Sequence, residues 1–394
     1  MYYRLFIVVL CLIIFLSVLC NGDYSYDELS EGSECVSEEG ITGTCVDIHR
    51  CMQYVQFLKN RSKFPQICTF NGRIPIVCCT DCDLVNNTSN VLVDRFGLHY
   101  FKTGKKAHDK CLEYIVDEPY PCDLYGGVQR YLDDEQNCYG YTLTAVLAVA
   151  GGLDAVKGQY PHMALLGYGD DEASADWLCG GTLISHRYIL TAAHCKSTHH
   201  LGPVRFIALG IHRRSDPRDT WKLYNVKHII VHPEYKPPSK YHDIALLVTD
   251  KWVKFTHMIL PACLDTGDTD GSVAFATGWG SLGHRKNLAD TLQTVPLKAY
   301  SEEECSSFYP PHRLLLHGYN HTTQMCYGDK DEINDTCQGD SGGPLQVQSE
   351  LSSCVHTVIG VTSHGKSCGF GGGFGVYIRV SYYVPWIEQT VWPE

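Results

Sequence analysis

From residue 149 onward, short apolar runs alternate with turns rich in Gly, Pro and Asp. Val204–Ile211, Val226–His232, Ile244–Val248, Val273–Gly278, Val355–Thr362 and Gly375–Val380 each predict a strand bounded by turn residues. Many short strands at this spacing predict an all-β barrel or sandwich. Val384–Val391, with Trp386 and Ile387, closes the chain in a helix-like pattern. At the other end, Leu5 to Leu19 is apolar apart from Ser17 and follows Arg4. Those fifteen residues fall short of the ~20 that a membrane span needs, and small residues Cys20 and Gly22 follow them. Residues 1–20 therefore read as a secretory signal peptide, and the mature chain as secreted, without a membrane anchor. Residues 80–148 carry Asn/Asp-rich turns, scattered charge and no sustained periodicity, and read as a linker.

A length of 394 residues allows more than one domain. The net charge of −12, with no basic patch, argues against a nucleic-acid partner. Removing the signal removes Cys11 and Cys20 and leaves 18 of the 20 cysteines, an even number suited to disulfides in an oxidising compartment. Asn60, Asn86, Asn87 and Asn320 head glycosylation sequons, and Asn334 heads another beside Asp335. The stretch 35–79 holds Cys35, Cys45, Cys51, Cys68, Cys78 and Cys79 but few aliphatic residues. So small a segment buries too little surface to fold alone, and three bridges would compensate. A zinc site would need a CxxC pair or a His cluster, and neither is present there. Six cysteines leave fifteen pairings open.

The candidate chemistry lies in Asp335-Thr336-Cys337-Gln338-Gly339-Asp340-Ser341-Gly342-Gly343-Pro344. Glycines on both sides of Ser341 let the backbone turn sharply and expose the hydroxyl. A hydroxyl is a weak nucleophile unless a base activates it and donors receive the oxyanion it creates. Gly339 and Ser341 can supply those donors from their backbone N–H groups. Upstream stand Thr191-Ala192-Ala193-His194-Cys195 and Asp243-Ile244-Ala245-Leu246-Leu247. A lone His or a strand-end Asp is usually structural. Here both precede a glycine-flanked serine in the order His, Asp, Ser used by one class of serine hydrolase.

On these three motifs, residues 149–394 resemble the chymotrypsin-family (S1) serine proteases. The resemblance implies two six-stranded barrels with His194, Asp243 and Ser341 at their junction, and no cofactor. It assigns Asp335 to the floor of the primary specificity pocket, Gly365 and Gly375 to its walls, and Ser363 to backbone pairing with substrate. A carboxylate at the floor implies cleavage after Arg or Lys. His364 departs from the usual Trp, and Phe374 from a common Pro; Phe374 is read as a packing aromatic. Residues 213–219 show no carboxylate set for calcium, since Arg213, Arg214 and Arg218 crowd the loop, so no metal is expected.

The six-cysteine unit followed by a linker and protease domain resembles arthropod clip-domain proteases, whose clip domains dock or regulate. Lys110-Cys111-Leu112-Glu113-Tyr114 looks like a linker element of those similar to snake and persephone. That resemblance implies Cys35–Cys78, Cys45–Cys68 and Cys51–Cys79 in the clip domain. In the protease domain it implies Cys179–Cys195, Cys305–Cys326 and Cys337–Cys368. It also implies a bond from Cys263 to the pro-segment, most simply to Cys138. That leaves Cys82, Cys111, Cys122 and Cys354, with Cys111–Cys354 and Cys82–Cys122 as the pairings expected among them. Val149-Ala150-Gly151-Gly152 occupies the place of the family's activated N-terminus, implying a cut after Ala148 and a pair between the Val149 amine and Asp340. The expected organisation is signal peptide 1–20, clip domain 35–79, linker 80–148 and protease 149–394. The expected function is a secreted zymogen in an extracellular cascade, with a protease zymogen as substrate, an upstream activating protease and a serpin inhibitor. A catalytically dead scaffold is the alternative, opposed by the intact His194, Asp243 and Ser341. A digestive trypsin would have no need of the six-cysteine module.

Overall fold

The computed structural model describes residues 29–37, 40–48, 51, 66–71, 74–80, 91–93, 99–116, 153–256, 258–281, 287–328, 340–349, 355–365 and 374–393. They fall into two compact units, Met1–Val91 and Leu92–Glu394.

In the second unit six antiparallel strands close a first barrel. In order round the ring they are Met163–Tyr168, Asp176–Ser185, Tyr188–Thr191, Ala245–Thr249, Lys222–Val231 and Gly202–Leu209. The ring closes with Leu209 opposite Ala164 and Ala208 opposite Leu165. A second ring runs Val273–Gly278, Gln293–Ala299, Gln324–Gly328, Phe374–Arg379, His356–Gly365 and Pro344–Gln348. It closes where Phe275 faces Gln346. Closure pairs every strand of the two rings on both of its sides. These paired barrels are the chymotrypsin-like, all-β fold expected from the sequence. Ala245–Thr249 is buried at every position, because both of its faces are covered. Lys222–Val231 has several exposed positions and starts four residues before the predicted strand, in a polar stretch that gave no apolar signal.

Three helices accompany the barrels among the described residues: α1 (Lys106–Val116), α2 (Glu302–Phe308) and α3 (Val380–Val391). Ser301 and Glu304 cap α2 reciprocally, each side chain accepting from the other's backbone N–H. Helix α3 buries Val380, Tyr383, Val384, Ile387 and Val391 as one stripe against the first-barrel core around Leu190 and Leu246. It begins four residues before the predicted Val384, directly at the end of the preceding strand.

Helix α1 lies inside the stretch read as linker. Its apolar residues Ala107, Cys111, Leu112 and Ile115 recur at helical spacing and are all buried. Ala107 N–H donates to Glu388 Oε1 at 2.6 Å, and Trp392 Nε1 donates to Tyr114 OH at 2.9 Å, so both ends of α1 are bound to α3 and its tail. Cys111, Leu112 and Ile115 pack with Cys263 and Val355. This docking overturns the pairing of Cys263 with Cys138, because Cys111 itself bonds Cys263 with Cα atoms 5.2 Å apart. The same bond rules out Cys111–Cys354. Cys138, Cys82, Cys122 and Cys354 lie outside the described residues.

The first unit is a four-stranded sheet in the order Glu34–Val36, Thr42–Asp47, Ile74–Cys79, Ile67–Asn71. Cys35–Cys78, Cys45–Cys68 and Cys51–Cys79 cross it. Among its described residues the buried apolar ones other than cysteine are Val46, Ile48, Ile76 and Val77, and the bridges supply much of what a larger core would.

Two buried histidines make the protease unit acid-sensitive. His162 Nε2 lies 2.8 Å from Gln346 Oε1, and its ring is 5.3 Å from that of His356. Gln346 Nε2 donates to Thr277 Oγ1, so Oε1 must accept and His162 carries its proton on Nε2. Burial pushes His162 down to about 4. Burial, with His162 beside it, also pushes His356 well below its ordinary value. Below pH ~6.5 the unfolded chain binds protons that the folded chain refuses, so stability falls with pH until the folded group titrates. From that shift, His162 alone costs about 2 kcal/mol at pH 5 relative to neutral pH, and His356 acts in the same direction. Urea unfolding at pH 7.5 and 5.0 should show this loss, and His162→Gln should shrink it. An unchanged pH dependence in the variant would contradict the assignment.

Candidate active site

Strands Tyr188–Thr191 and Ala245–Thr249 pair with Thr191 opposite Ala245. His194 lies three residues beyond Thr191, and Asp243 two residues before Ala245, so the register sets them at one end of the strand pair. His194 sits in the 3₁₀ turn Ala193–Lys196, with Ala192 and Ala193 buried on one side and the Cys179–Cys195 bridge on the other. Asp243 Oδ1 accepts from His194 N–H at 2.8 Å, and Oδ2 lies 2.8 Å from His194 Nδ1. Ser363 Oγ donates to the same Oδ2 at 2.6 Å. An ionised carboxylate only accepts, so Nδ1 carries the imidazole proton and Nε2 is left as a base. Burial alone would push the Asp243 carboxyl up. The charge of a protonated His194 and the bonds from His194 and Ser363 outweigh it, and the carboxyl lies below its ordinary value.

Ser341 is fixed to the same framework through its backbone. Its carbonyl accepts from Gly180 N–H at 2.8 Å and touches Cys195 Sγ at 3.5 Å. The latter is a contact only, since the disulfide leaves Cys195 no proton to donate. Gly342 takes φ +77°, and a Cβ there would lie 2.1 Å from Thr191 Oγ1 and 2.7 Å from the Gly180 carbonyl oxygen. Only glycine permits this approach of the serine loop to the histidine strand. Asp340 Oδ1 accepts from Gly280 N–H at 2.9 Å, where a Cβ on Gly278 or Gly280 would clash with its carboxylate.

Gly365 and Gly375 face each other across two paired strands. Phe374 packs its ring on Tyr300 and Phe308, with centroids 3.8 and 4.7 Å away. Ser363, expected from the resemblance to pair its backbone with substrate, donates its hydroxyl to Asp243. That contact crosses 120 residues of sequence and left no local signal. His364 Nδ1 lies 3.2 Å from Ser363 Oγ, its Nε2 has no partner among the described residues, and the ring stands edge-on to Tyr309. Burial pushes His364 down to about 3, with Lys240, His194 and His312 acting in the same direction. Lys240 N–H donates to the Leu314 carbonyl at 2.9 Å, placing the exposed His312 and Arg313 beside it. The loop 213–219 is held by Asp290, which accepts from Ser215 N–H and Oγ, and by Arg218 stacked 3.7 Å over Trp221. The Cys305–Cys326 bond is present, and Asn320 is exposed.

Asp335, Gly339, the Cys337 and Cys368 pair, Ala148, Val149, Asn60, Asn86 and Asn87 lie outside the described residues.

The Trypsin family profile matches residues 149–387. Serine protease snk of Drosophila melanogaster is 31% identical over 374 residues, covering 93% of this chain and 80% of that protein. Venom serine protease Bi-VSP of Bombus ignitus is 29% identical over 371 residues, covering 90% and 91% of the two chains. CLIP domain-containing serine protease C9 of Anopheles gambiae is 32% identical over 255 residues, covering 61% and 67%. With its barrels and its bridged N-terminal sheet, the chain belongs to the trypsin family of serine proteases, as an arthropod clip-domain member similar to snk.

Proposed function

We propose that the chain is the secreted zymogen of a trypsin-like endopeptidase that cuts after Arg or Lys. The observation that carries this is the buried Asp243, bonded twice to His194 and once to Ser363, at the strand end to which the Ser341 loop is tied. Ser341 Oγ attacks the scissile carbonyl while its proton passes to His194 Nε2, and the carbonyl oxygen becomes an oxyanion received by Gly339 and Ser341 N–H. Collapse breaks the C–N bond, and His194 returns the proton to the leaving amine. Water, deprotonated by His194, then frees the acyl group. Asp335 pairs with the substrate cation between Gly365 and Gly375, and Ser363 pairs with its backbone. Asp335→Ser should lose the Arg/Lys preference by ~10³-fold, since a buried cation would lack its counter-ion. A peptide-library profile tests this; preference for Phe or Leu in the unsubstituted enzyme would refute it.

Activation in this reading is a cut after Ala148, freeing a Val149 amine that pairs with Asp340 and orders the oxyanion loop. Thr144-Ala145-Val146-Leu147-Ala148 contains no Arg or Lys, so the enzyme should not activate itself. An upstream protease favouring small or apolar residues does so, within an extracellular cascade whose next substrate is a protease zymogen and whose inhibitor is a serpin. Support for secretion comes from the disulfides and from the apolar leader; among the described residues no helix is long and apolar enough to cross a membrane. After the cut, Cys111–Cys263 keeps the N-terminal part attached. On a non-reducing gel, cut Cys111→Ser protein should separate into two chains and cut Cys138→Ser protein should not. The reverse result would return the tether to Cys138.

A further inference from the structure

His232, Glu234 and His242 each present a ligand atom, and these three atoms lie within 4.8 Å of one another. Two other clusters among the described residues have comparable spacing, but both depend on disulfide-bonded cysteines, which have no thiolate to offer. We propose that His232, Glu234 and His242 bind a divalent transition-metal ion such as Zn²⁺, and that its binding slows the enzyme through Asp243.

The fold has already brought the imidazoles together. Their rings stack at 5.5 Å with planes 13° apart, and His232 is held edge-on by Tyr383 and Trp386. Backbone bonds from His232 N–H to the Ile244 carbonyl and from Ile244 N–H to the His242 carbonyl fix both residues to the strand end. Glu234 is the adjustable member: its side chain is 64% exposed against 22% for His242, and its Oε2 lies 3.8 Å from His242 Nδ1. Tetrahedral zinc, with bonds of about 2.0–2.1 Å, separates neighbouring ligand atoms by roughly 3.3 Å. A small swing of Glu234 closes that gap. Two imidazoles and one carboxylate suit zinc and its transition-metal neighbours, whereas calcium and magnesium prefer oxygen sets. The carboxylate offsets part of the ion's charge, and solvent supplies the fourth position. The ion displaces weaker contacts: Tyr383 OH lies 2.9 Å from His242 Nδ1, and Glu234 N–H donates to His232 Nδ1 at a long 3.3 Å. Occupancy is therefore expected at micromolar metal.

The consequence for catalysis follows from chain connectivity and rests on the proposed protease reading. His242 precedes Asp243 directly and is the one described non-glycine residue with positive φ, at 54°. Metal binding takes His242 Nδ1 from the Tyr383 hydroxyl, and re-seating that ring turns the backbone that aims both Asp243 oxygens at His194. Misplacement by about 1 Å in such a site costs on the order of 10²-fold in rate. The substrate-pairing residues are not ligands, so kcat should fall while KM holds.

The test separates binding from activity. Zn²⁺ is titrated calorimetrically into the activated protein, its Glu234→Gln variant and its His242→Asn variant, since Asn tolerates positive φ. One saturable micromolar site is expected, weakened at least ~10-fold by either substitution. No saturable site, or an affinity in both variants equal to that of the unsubstituted protein, would overturn the metal site whatever the activity. In parallel, Zn²⁺ should lower kcat of the unsubstituted enzyme and leave Glu234→Gln unaffected at the same metal concentration. Competition between Zn²⁺ and an amidine ligand of the specificity pocket would place the ion on His194 and overturn the coupling to Asp243.

Discussion

Asp243→Asn is expected to lower kcat by about 10⁴-fold while leaving the fold intact. The amide has nearly the carboxylate's shape, and its oxygen can still accept from the His194 N–H that now reaches Oδ1. Its NH₂ group, however, would then face His194 Nδ1, where two donors cannot meet. The imidazole must move its proton to Nε2 or turn away, and either change removes the base from the serine. The charge that stabilises the imidazolium in the transition state is lost as well. Steady-state kinetics on an Arg substrate and thermal melting of the same sample check both halves. A kcat within ~10-fold of the unsubstituted enzyme, with an unchanged melt, would remove Asp243 from the mechanism.

Ser341→Ala is expected to lose at least ~10³-fold in kcat, because the nucleophile and its base act as one unit. The substitution deletes a single hydroxyl. Gly180 N–H still bonds the residue-341 carbonyl and Gly342 keeps its turn, so folding should be unaffected. The same unity predicts non-additivity. Adding Asp243→Asn to Ser341→Ala should cost almost nothing further, since the base has no proton left to take. Independent multiplication of the two losses would mean that Asp243 acts on something other than the His194–Ser341 pair.

Chemistry carried by contiguous residues was legible in the sequence, while chemistry made by distant ones was not. His194, Asp243 and Ser341 announce themselves because each sits in a short run whose backbone demands leave a residue signature. Gly342 illustrates this, since any side chain would collide with Thr191. Strands such as Ala245–Thr249 were readable because burial at every position leaves a run of apolar residues. Helix α1 went unread: its four buried residues are spaced helically, but they stand among six charged or titratable neighbours in an otherwise patternless stretch. The partner of Cys263 followed from that helix, so the nearer Cys138 was the natural expectation and the docked Cys111 the outcome. Ser363 on Asp243 is a meeting of distant strands, and His232 beside His242 a product of strand register, and neither leaves a local signal.

The most direct test is to cut the zymogen after Ala148 and treat it with a fluorophosphonate, which replaces its fluoride with an activated serine oxygen. Peptide mass mapping should then find a single adduct, on Ser341, in the protein that begins at Val149. Uncut protein and cut His194→Ala protein should remain almost unlabelled. An unlabelled Ser341 in protein shown to begin at Val149, or equal labelling with and without His194, would contradict the catalytic account.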